Sequence, residues 1–375
     1  MHEMTKGALG AWSGGLVMRF GLAIEEDRLV ALLRPDERIN AVVTADVYGQ
    51  GEADRLVGRA IGGLPRGGYR LVGAVGHDFY TGERDGPRGF PRFTDPRLRE
   101  PKDYAAYLRM ATEASLERCG VDGFDLLLLH NPDRVGYTSE AVWRGMTDLR
   151  DEGLTQAIGL APGPANGFTL DILCCLERFG AEIEWAMLIL NPFEPWPASL
   201  ALPACKAHDV NVLARVVDYG GVFHGDVPDE DQLADGDHRT FRPAGWVADA
   251  RARLDEVRPI ADAHGLTPLQ LASIWTLQQP AVEAVVPTLI QEPGADAKRV
   301  EDKREELAGL PEVVLSHDEM ATIATVGDNT GCMTLKGASP EHESERADAW
   351  PLSEELVAIG ARWGVNASSD LVRTA

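Results

Sequence analysis

Residues 124–130 are FDLLLLH, a nearly continuous apolar run that ends in a histidine. A strand covered on one face alternates apolar and polar residues, whereas a strand of a parallel sheet is covered on both faces and is apolar throughout. We therefore predict a buried strand of a parallel sheet here. Similar runs predict seven more strands, at residues 16–22, 41–45, 69–76, 156–160, 185–190, 211–217 and 282–287.

Helical patterns separate these runs. They lie at residues 52–61, 103–119, 139–152, 169–179, 199–208, 246–264 and 267–278. Eight strands that alternate with helices predict an α/β fold, a (β/α)₈ TIM barrel, rather than an open sheet. We assign residues 1–335 to this barrel. Residues 336–375 form a polar C-terminal extension that becomes amphipathic at 352–363, and we expect it to pack on the barrel.

The composition excludes several classes of protein. The 375 residues are 44% hydrophobic and 25% charged, which is typical of a globular chain and not of a disordered, collagen-like or coiled-coil one. The formal net charge of −23 repels phosphate backbones and anionic lipid, so we expect a small-molecule partner and neither nucleic acid nor membrane. Five cysteines without regular spacing favour a reducing, cytoplasmic location over a disulfide framework. The oligomeric state stays open.

Two connections between predicted elements are long. Residues 77–102 follow the third strand and residues 218–245 follow the seventh, where the loops of such barrels build active sites. The first loop is rich in arginine and aromatic residues, a combination that suits an anionic or polyhydroxylated substrate. The residues predicted to contact substrate are Asp78, Tyr80, Arg84, Arg92, Trp196 and Asp218.

Residues 44–52 are TADVYGQGE, which resembles the Asp-Thr-Ala-x-x-Tyr-Gly strand end of the aldo-keto reductases and the acidic helix start that follows it. Four later segments resemble the same family in the same order, at residues 115–120, 125–133, 153–159 and 269–287. The resemblance covers about residues 15–330. It implies a barrel that reduces carbonyl groups with a nicotinamide cofactor, usually NADPH, and that has no Rossmann domain.

The resemblance also implies a catalytic set of tyrosine, histidine, aspartate and lysine, of which this chain matches half. Tyr48 matches the proton-donating tyrosine, and His130 matches the histidine that orients the substrate oxygen. The aspartate position is Val43, and the lysine position is Ala74, or Val75 if the alignment shifts by one residue. A free phenol has a pKa of about 10, so a tyrosine without these partners is a weak acid.

Residues near the missing lysine and inside the seventh strand extend the candidate site. His77 follows the third strand and is our third candidate catalytic residue, because it is expected to reach the place of the missing ammonium group. Arg215 stands out in an apolar strand, and we expect it either to point into the pocket or to pair with Asp218. We predict no metal site, although His77, Asp78, Asp218 and His224 form an alternative set of ligands from different strand ends.

The implied cofactor site departs from the family pattern. Thr288 replaces the glycine that follows the eighth strand, and Asp302-Lys303 replaces the Glu-Asn pair that reads adenine. Ala161-Pro162 replaces the Ser-Asn after the fifth strand. The resemblance assigns Asn191 to the carboxamide, the two glycines after the seventh strand to phosphate, and three cations to the 2′-phosphate. The residues predicted to bind NADP are Asn191, Gly220, Gly221, Thr288, Lys298, Arg299 and Lys303.

Three functions are consistent with these observations. The first is an NADP-dependent oxidoreductase that acts on a small polar carbonyl or sugar-like compound. The second is a lyase, isomerase or hydratase that has lost hydride transfer and keeps acid–base chemistry on the same barrel. The third is a non-catalytic protein that binds a nucleotide or a partner.

Overall fold

The computed structural model describes residues 3–86, 89–163, 169–331 and 352–371. Eight parallel strands form one sheet in the order of the sequence, and a parallel bridge between Gly7 and Val285 joins its two edges. The structure is therefore the predicted (β/α)₈ barrel. The strands are β1 (Ala8–Gly10), β2 (Ala41–Val43), β3 (Arg70–Val75), β4 (Phe124–His130), β5 (Thr155–Ala161), β6 (Trp185–Ile189), β7 (Asn211–Arg215) and β8 (Val282–Val286).

Helices surround the sheet, and most begin and end within one or two residues of the predicted bounds. The helix that starts at Pro268 illustrates the cause, because the Thr267 hydroxyl accepts the Gln270 N–H at 3.2 Å and proline occupies the first helical position. The helices are α1 (Glu26–Leu32), α2 (Glu52–Ile61), α3 (Tyr104–Cys119), α4 (Arg134–Thr138), α5 (Glu140–Asp151), α6 (Thr169–Phe179), α7 (Ala198–Ala207), α8 (Trp246–His264), α9 (Pro268–Leu277), α10 (Val300–Ala308), α11 (His317–Val326) and α12 (Glu354–Arg362).

Side chains of each strand alternate between the barrel interior and the helices. Val43 and Ala74 belong to the apolar cluster inside the barrel, together with Leu126 and Leu128. Val75 belongs to the outer cluster, which packs against the helices. Because Ala74 is the residue that faces inward, it and Val43 occupy the interior positions where the family has its lysine and aspartate.

The first predicted strand is wrong. The structure places β1 at Ala8–Gly10, whereas residues 16–22 form a loop in which Leu16 and Leu22 are 40% and 44% exposed. Gly14, Gly15 and Gly21 all have a positive φ, which turns the chain away from an extended course. The remaining seven predicted strands overlap observed ones.

The C-terminal segment of the described chain packs on the outer helices. Arg362, at the end of α12, pairs with Glu177 of α6, and the Trp363 indole N–H donates to the same carboxylate at 2.9 Å. The predicted boundary at residues 335–336 lies outside the described residues, so the division into barrel and extension stays a prediction. Among the described residues, no helix is both long enough and apolar enough to cross a membrane.

Candidate active site

Four side chains from different strand ends meet at the C-terminal mouth of the barrel. Tyr48 opens the 3₁₀ turn Tyr48–Gly51 after β2, His130 ends β4, and Arg215 ends β7. The ring centroids of Tyr48 and His130 lie 5.5 Å apart with planes at 89°, and those of His77 and His130 lie 5.3 Å apart. The structure thus brings the three predicted catalytic residues together.

His77 has both ring nitrogens engaged by the protein. Its Nδ1 lies 3.0 Å from the Phe90 carbonyl oxygen, which can only accept, and its Nε2 lies 3.2 Å from the Asn131 amide nitrogen, which donates. Burial and then the nearby Arg92 guanidinium lower the pKa of His77 to about 3, so the ring is neutral. With no free ring nitrogen, His77 is arranged to support the His130 ring, and its predicted proton transfer would require one of these bonds to break.

His130 and Tyr48 are electrically neutral near pH 7. Burial lowers the pKa of His130 well below its ordinary value, and His77, Arg215 and Arg92 lower it further. Burial raises the pKa of Tyr48, while the positive charge of Arg215 opposes that rise. Within the part of the chain that the structure describes, the buried His130 Nδ1 atom has no hydrogen-bond partner. An unpaired polar atom of this kind is available to a ligand.

Arg215 extends across the barrel mouth. Its Nη2 donates to the carbonyl oxygen of Pro162 at 2.9 Å, and the preceding Ala161 is paired with His130 in the sheet. Its Nε is buried and has no partner among the described residues. The expected pairing with Asp218 is not formed, because backbone N–H groups occupy that carboxylate. The sequence analysis singled out Arg215 as a cation inside an apolar strand but assigned it no catalytic or binding role.

Trp12 is a second residue that the sequence analysis missed. Its ring contacts that of Tyr48 edge to face, with centroids 6.1 Å apart, and its indole N–H donates to the Thr288 hydroxyl at 3.2 Å. It closes the side of the mouth next to β1. With the first strand predicted at residues 16–22, residues 8–15 had no predicted place at the barrel mouth.

In the loop after β3, the predicted substrate-binding residues Asp78 and Tyr80 form contacts that hold the loop itself. Asp78 is fully buried and accepts hydrogen bonds from the Tyr80 and Thr81 amides at 3.0 and 2.9 Å, and it pairs with Arg99. The Tyr80 hydroxyl accepts from Arg118 at 3.0 Å. Both residues therefore anchor the loop to the barrel, and their contact with a substrate stays a prediction.

The two predicted arginines of this loop differ in position. Arg84 is exposed, and its guanidinium lies 6.0 Å from the Phe90 ring centroid. Arg92 lies against the histidine pair, where its Nε donates to the Asn131 carbonyl oxygen. Arg92 is thus next to the site, while Arg84 lies on the surface of the loop. Their contact with a substrate stays a prediction.

Trp196 and Asp218 also form structural hydrogen bonds. The Trp196 indole N–H donates to the Asp370 carbonyl oxygen at 2.8 Å, so this ring holds the C-terminal segment. The buried Asp218 carboxylate accepts from the Thr288 amide at 2.7 Å and the Gly221 amide at 2.9 Å. It joins the loops after β7 and β8. For both residues the contact with a substrate stays a prediction.

The comparisons with known proteins agree with this geometry. A family model described as the aldo/keto reductase family matches residues 17–327. The chain belongs to the aldo/keto reductase family. A probable voltage-gated potassium channel subunit beta of Arabidopsis thaliana is 26% identical over 293 residues, which cover 74% of this chain and 81% of that protein. An aldo-keto reductase of Mycolicibacterium smegmatis is 27% identical over 241 residues, which cover 60% and 69%.

Solved aldo-keto reductases share the fold. A glycerol dehydrogenase of Gluconobacter oxydans superposes with a TM-score of 0.66 at 22% identity, over 87% of this chain and 92% of that one. An aldo-keto reductase of Klebsiella pneumoniae, solved with NADP and acetate, gives a TM-score of 0.57 at 21% identity, over 86% and 91%. Family membership supports an oxidoreductase, and members of this fold bind NADP.

Three predicted cofactor ligands of this aldo/keto reductase do not fit that role. The Asn191 amide accepts from the Phe193 and Glu194 amides, both at 2.9 Å, and donates to the Val216 carbonyl oxygen at 3.1 Å. Thr288 is held by Asp218 and Trp12. Lys303 is fully buried, where its Nζ pairs with Asp226 at 2.8 Å and donates to the Ile290 carbonyl oxygen at 2.6 Å.

The remaining cofactor candidates fit an anion. Arg299 is the residue before α10, and its side chain is 69% exposed and lies 3.4 Å from Glu301. Lys298 precedes it and pairs with Glu306 at 2.9 Å while staying 38% exposed. Gly220 and Gly221 have φ values of 65° and 95°, a turn that glycine forms without strain. The residues present therefore fit a phosphate at the start of α10 and do not fit the predicted carboxamide and adenine contacts.

The histidines and carboxylates of the alternative metal site are each held by other structural contacts. His224 is fully buried, and its Nε2 lies 2.8 Å from the Thr288 carbonyl oxygen. Asp78 and Asp218 are held by separate loops. Over residues 3–86, 89–163, 169–331 and 352–371, no group of three or more histidine, cysteine or acidic side chains is arranged to hold a metal ion.

Proposed function

We propose that this family member is an NADP-dependent oxidoreductase that acts on a small polar carbonyl compound at the barrel mouth. The observation that carries the proposal is the perpendicular contact of Tyr48 and His130, which follow β2 and end β4, next to Arg215, whose Nε has no partner among the described residues. Family membership and the NADP complex of the Klebsiella pneumoniae relative support the redox class. The substrate identity lies beyond these observations.

In this proposal Tyr48 holds the proton that the carbonyl oxygen receives. Its raised pKa keeps the phenol protonated at neutral pH, which suits proton donation in the direction of reduction. The positive charge of Arg215 stabilises the phenolate that remains, in place of the absent lysine. His130 is neutral and can donate its one ring proton to the same oxygen, which fixes the orientation of the carbonyl group.

NADPH, when bound, supplies the hydride that the carbonyl carbon accepts. Lys298 and Arg299 are the residues that would hold its phosphate at the start of α10, where backbone N–H groups also favour an anion. Gly220 and Gly221 allow a close backbone approach. No role is assigned to Asn191, Thr288 or Lys303, because their polar atoms already have partners.

A second candidate function is acid–base chemistry without a nicotinamide. It is favoured because the polar atoms of Asn191, Thr288 and Lys303 already have hydrogen-bond or ion-pair partners within the protein. A neutral phenol and a neutral imidazole beside a guanidinium can move protons on a hydroxy-carbonyl compound without any redox partner. Elimination, isomerisation and hydration belong to this class. Tyr48, His130 and Arg215 would serve both functions, so the cofactor decides between them.

The deciding experiment is a titration of intrinsic fluorescence with NADPH and NADH, followed by a carbonyl screen. The chain has eight tryptophans, and Trp12 lies at the mouth. Saturable NADPH binding, with cofactor oxidation that falls by about 10²- to 10⁴-fold in Tyr48→Phe, would support the oxidoreductase. Turnover in cofactor-free protein would support the second function, and absence of both activities would leave a binding protein as the remaining class.

A further inference from the structure

Arg215 differs from the other buried arginines in lacking an acidic partner. Six largely buried arginines of the described chain each form an ion pair with a carboxylate. These pairs are Arg70–Asp125, Arg99–Asp78, Arg118–Asp54, Arg239–Asp237, Arg242–Glu194 and Arg304–Asp36. Throughout the described residues, Arg215 forms no ion pair, and its single hydrogen bond is the one to the Pro162 carbonyl oxygen.

An unpaired guanidinium in this place is energetically unfavourable. Burial lowers the pKa of Arg215, which shows that the charged form is poorly solvated, yet a guanidinium stays protonated in proteins. Burying a charge without a partner destabilises the fold unless something else neutralises it. In the described part of the chain the six arginines named above each have a carboxylate partner, so Arg215, which has none there, calls for an explanation.

The free part of the guanidinium lies at the site. Nη2 donates toward the end of β5, and the buried Nε is unpaired. The charge acts on both Tyr48 and His130, since it lowers the pKa of each. Val43 and Ala74 belong to the apolar cluster inside the barrel, so neither position carries a charge. A ligand at the mouth therefore meets one cation, one phenol and one imidazole.

We infer that Arg215 is the specificity-determining residue for a carbonyl substrate that carries a carboxylate. The Nε–H and one Nη2 hydrogen form the planar edge that binds the two oxygens of a carboxylate side by side, and Nη2 carries two hydrogens, of which the Pro162 carbonyl oxygen takes one. Arg215 is a single cation and already donates one hydrogen bond to Pro162, so it suits a monoanion better than a phosphate dianion. The inference rests on the proposed function for the carbonyl group, while the anion contact itself needs only the described geometry.

A bound carboxylate would also change the acid–base chemistry of the site. By neutralising Arg215 it removes the charge that opposes the high pKa of Tyr48. The phenol then stays protonated to a higher pH, and the neutralised guanidinium stabilises the phenolate less than it does in the free protein. The substrate would thus complete the charge balance of the barrel mouth when it binds.

Binding of matched acids and esters tests the inference. Pyruvate, levulinate and 5-oxohexanoate place a carboxylate at increasing distance from a ketone, and their methyl esters are the neutral counterparts. Calorimetry with and without saturating NADP⁺ gives the dissociation constants. We expect at least one acid to bind about 10- to 100-fold more tightly than its ester. Arg215→Gln should abolish this preference, and Arg215→Lys should keep part of it.

The control is Arg258→Gln, at a half-exposed arginine of α8 that pairs with Asp255, which should keep the wild-type preference. Three results would overturn the inference: no acid binds, no acid is preferred over its ester, or the preference survives in Arg215→Gln. Failure of the proposed function looks different. In that case the acid preference is present and depends on Arg215, but no oxo acid is reduced in the presence of NADPH.

Discussion

Two regions near the C-terminal rim of the barrel bury polar side chains in opposite ways. At the mouth between β2, β4 and β7, the His130 Nδ1 and Arg215 Nε atoms have no partner among the described residues. In the loops after β7 and β8, Asp218 holds two backbone amides and Lys303 is paired with Asp226. Arg239 in the same loop region forms ion pairs with both Asp237 and Glu292.

This difference separates binding groups from structural groups. An unsatisfied buried polar group costs about 1–3 kcal/mol, so a fold retains one where a ligand supplies the missing bond. A saturated group has no such capacity and instead holds loops in place. The mouth is our candidate site because its unpaired atoms lie beside the Tyr48–His130 contact, whereas the unpaired His224 Nδ1 and Asp226 Oδ1 atoms in the loop after β7 have no such neighbours. The sequence analysis placed predicted ligands in both regions.

Substitution of arginines in the two regions should have opposite effects on stability, and this is the largest effect that we expect. Arg239→Met leaves Asp237 and Glu292 buried without a cation, which should lower the free energy of unfolding by about 3–5 kcal/mol. Arg215→Met removes an unpaired charge and should leave stability unchanged or raise it. Urea denaturation measures both.

If Arg239→Met does not yield folded protein, Glu292→Gln replaces it as the milder test of the same network. The predicted difference between the two regions would be contradicted if Arg215→Met lost as much stability as the Arg239 variant. That result would make Arg215 a structural residue with a partner in the folded state.

The next prediction separates two cations that the sequence analysis treated alike. Lys303→Met leaves Asp226 unpaired and should destabilise the protein by about 3 kcal/mol while the ratio of NADPH to NADH affinity stays the same. Arg299→Gln changes an exposed side chain, so stability should move by less than about 0.5 kcal/mol. If NADP binds as proposed, Arg299→Gln lowers that affinity ratio.

Thermal denaturation and cofactor titration of the two variants give the measurements. A change of the affinity ratio in Lys303→Met, with Arg299→Gln unchanged, would show that the buried lysine reaches the cofactor after all. Lys298→Gln is a suitable third variant, because Lys298 is intermediate in exposure.

The pH dependence of turnover tests the state of Tyr48. Because burial keeps its pKa above the ordinary value of about 10, the phenol should be protonated over about pH 6–9. Carbonyl reduction uses the protonated form. Titration of Tyr48 should therefore change the rate of reduction little over this pH range. Alcohol oxidation needs the phenolate and should rise about tenfold per pH unit. Steady-state rates in both directions check this, and a plateau of oxidation below pH 9 would mean a lowered pKa.

The fold followed from the sequence because long apolar runs record strands that are covered on both faces. The run at 124–130 coincides with β4, whereas β1 has three residues, ALG, too few and too small to form a signal. Tyr48 and His130 were found because strand ends meet at one rim. The missing partners Val43 and Ala74 were also visible in the sequence, and the structure places both inside the barrel.

Several residues predicted to bind a ligand have their polar atoms occupied within the protein, for one physical reason. Asn191, Lys303, Asp218 and Trp196 have the residue types that a binding site needs, but their hydrogen-bond partners come from other segments of the chain. Lys303 and its partner Asp226 are 77 residues apart in the sequence, and Trp196 and its partner Asp370 are 174 residues apart. Whether a polar group is already saturated depends on these long-range contacts, which a single sequence does not reveal.

The smallest expected effect compares one histidine from each region. His130 at the mouth and His224 under the loops both have a pKa well below the ordinary value, because burial disfavours the charged ring. Above about pH 6.5 each is neutral in the folded and the unfolded chain, so neither affects stability there. As the pH falls below that value, the unfolded chain binds a proton that the folded chain does not, and stability decreases by about 1.4 kcal/mol per pH unit for each histidine.

Urea denaturation at pH 7.5 and 5.0, for example, should therefore show a weaker loss of stability in His130→Gln and in His224→Gln than in the wild type, by similar amounts. Ligand binding distinguishes the two variants, because His130 lies at the mouth and His224 is held by the Thr288 carbonyl oxygen. We expect only His130→Gln to weaken binding of the preferred oxo acid. Equal weakening by both would mean that the loops after β7 and β8 contribute directly to the site, and the distinction between saturated and unsaturated groups would then fail as a guide to function in this barrel.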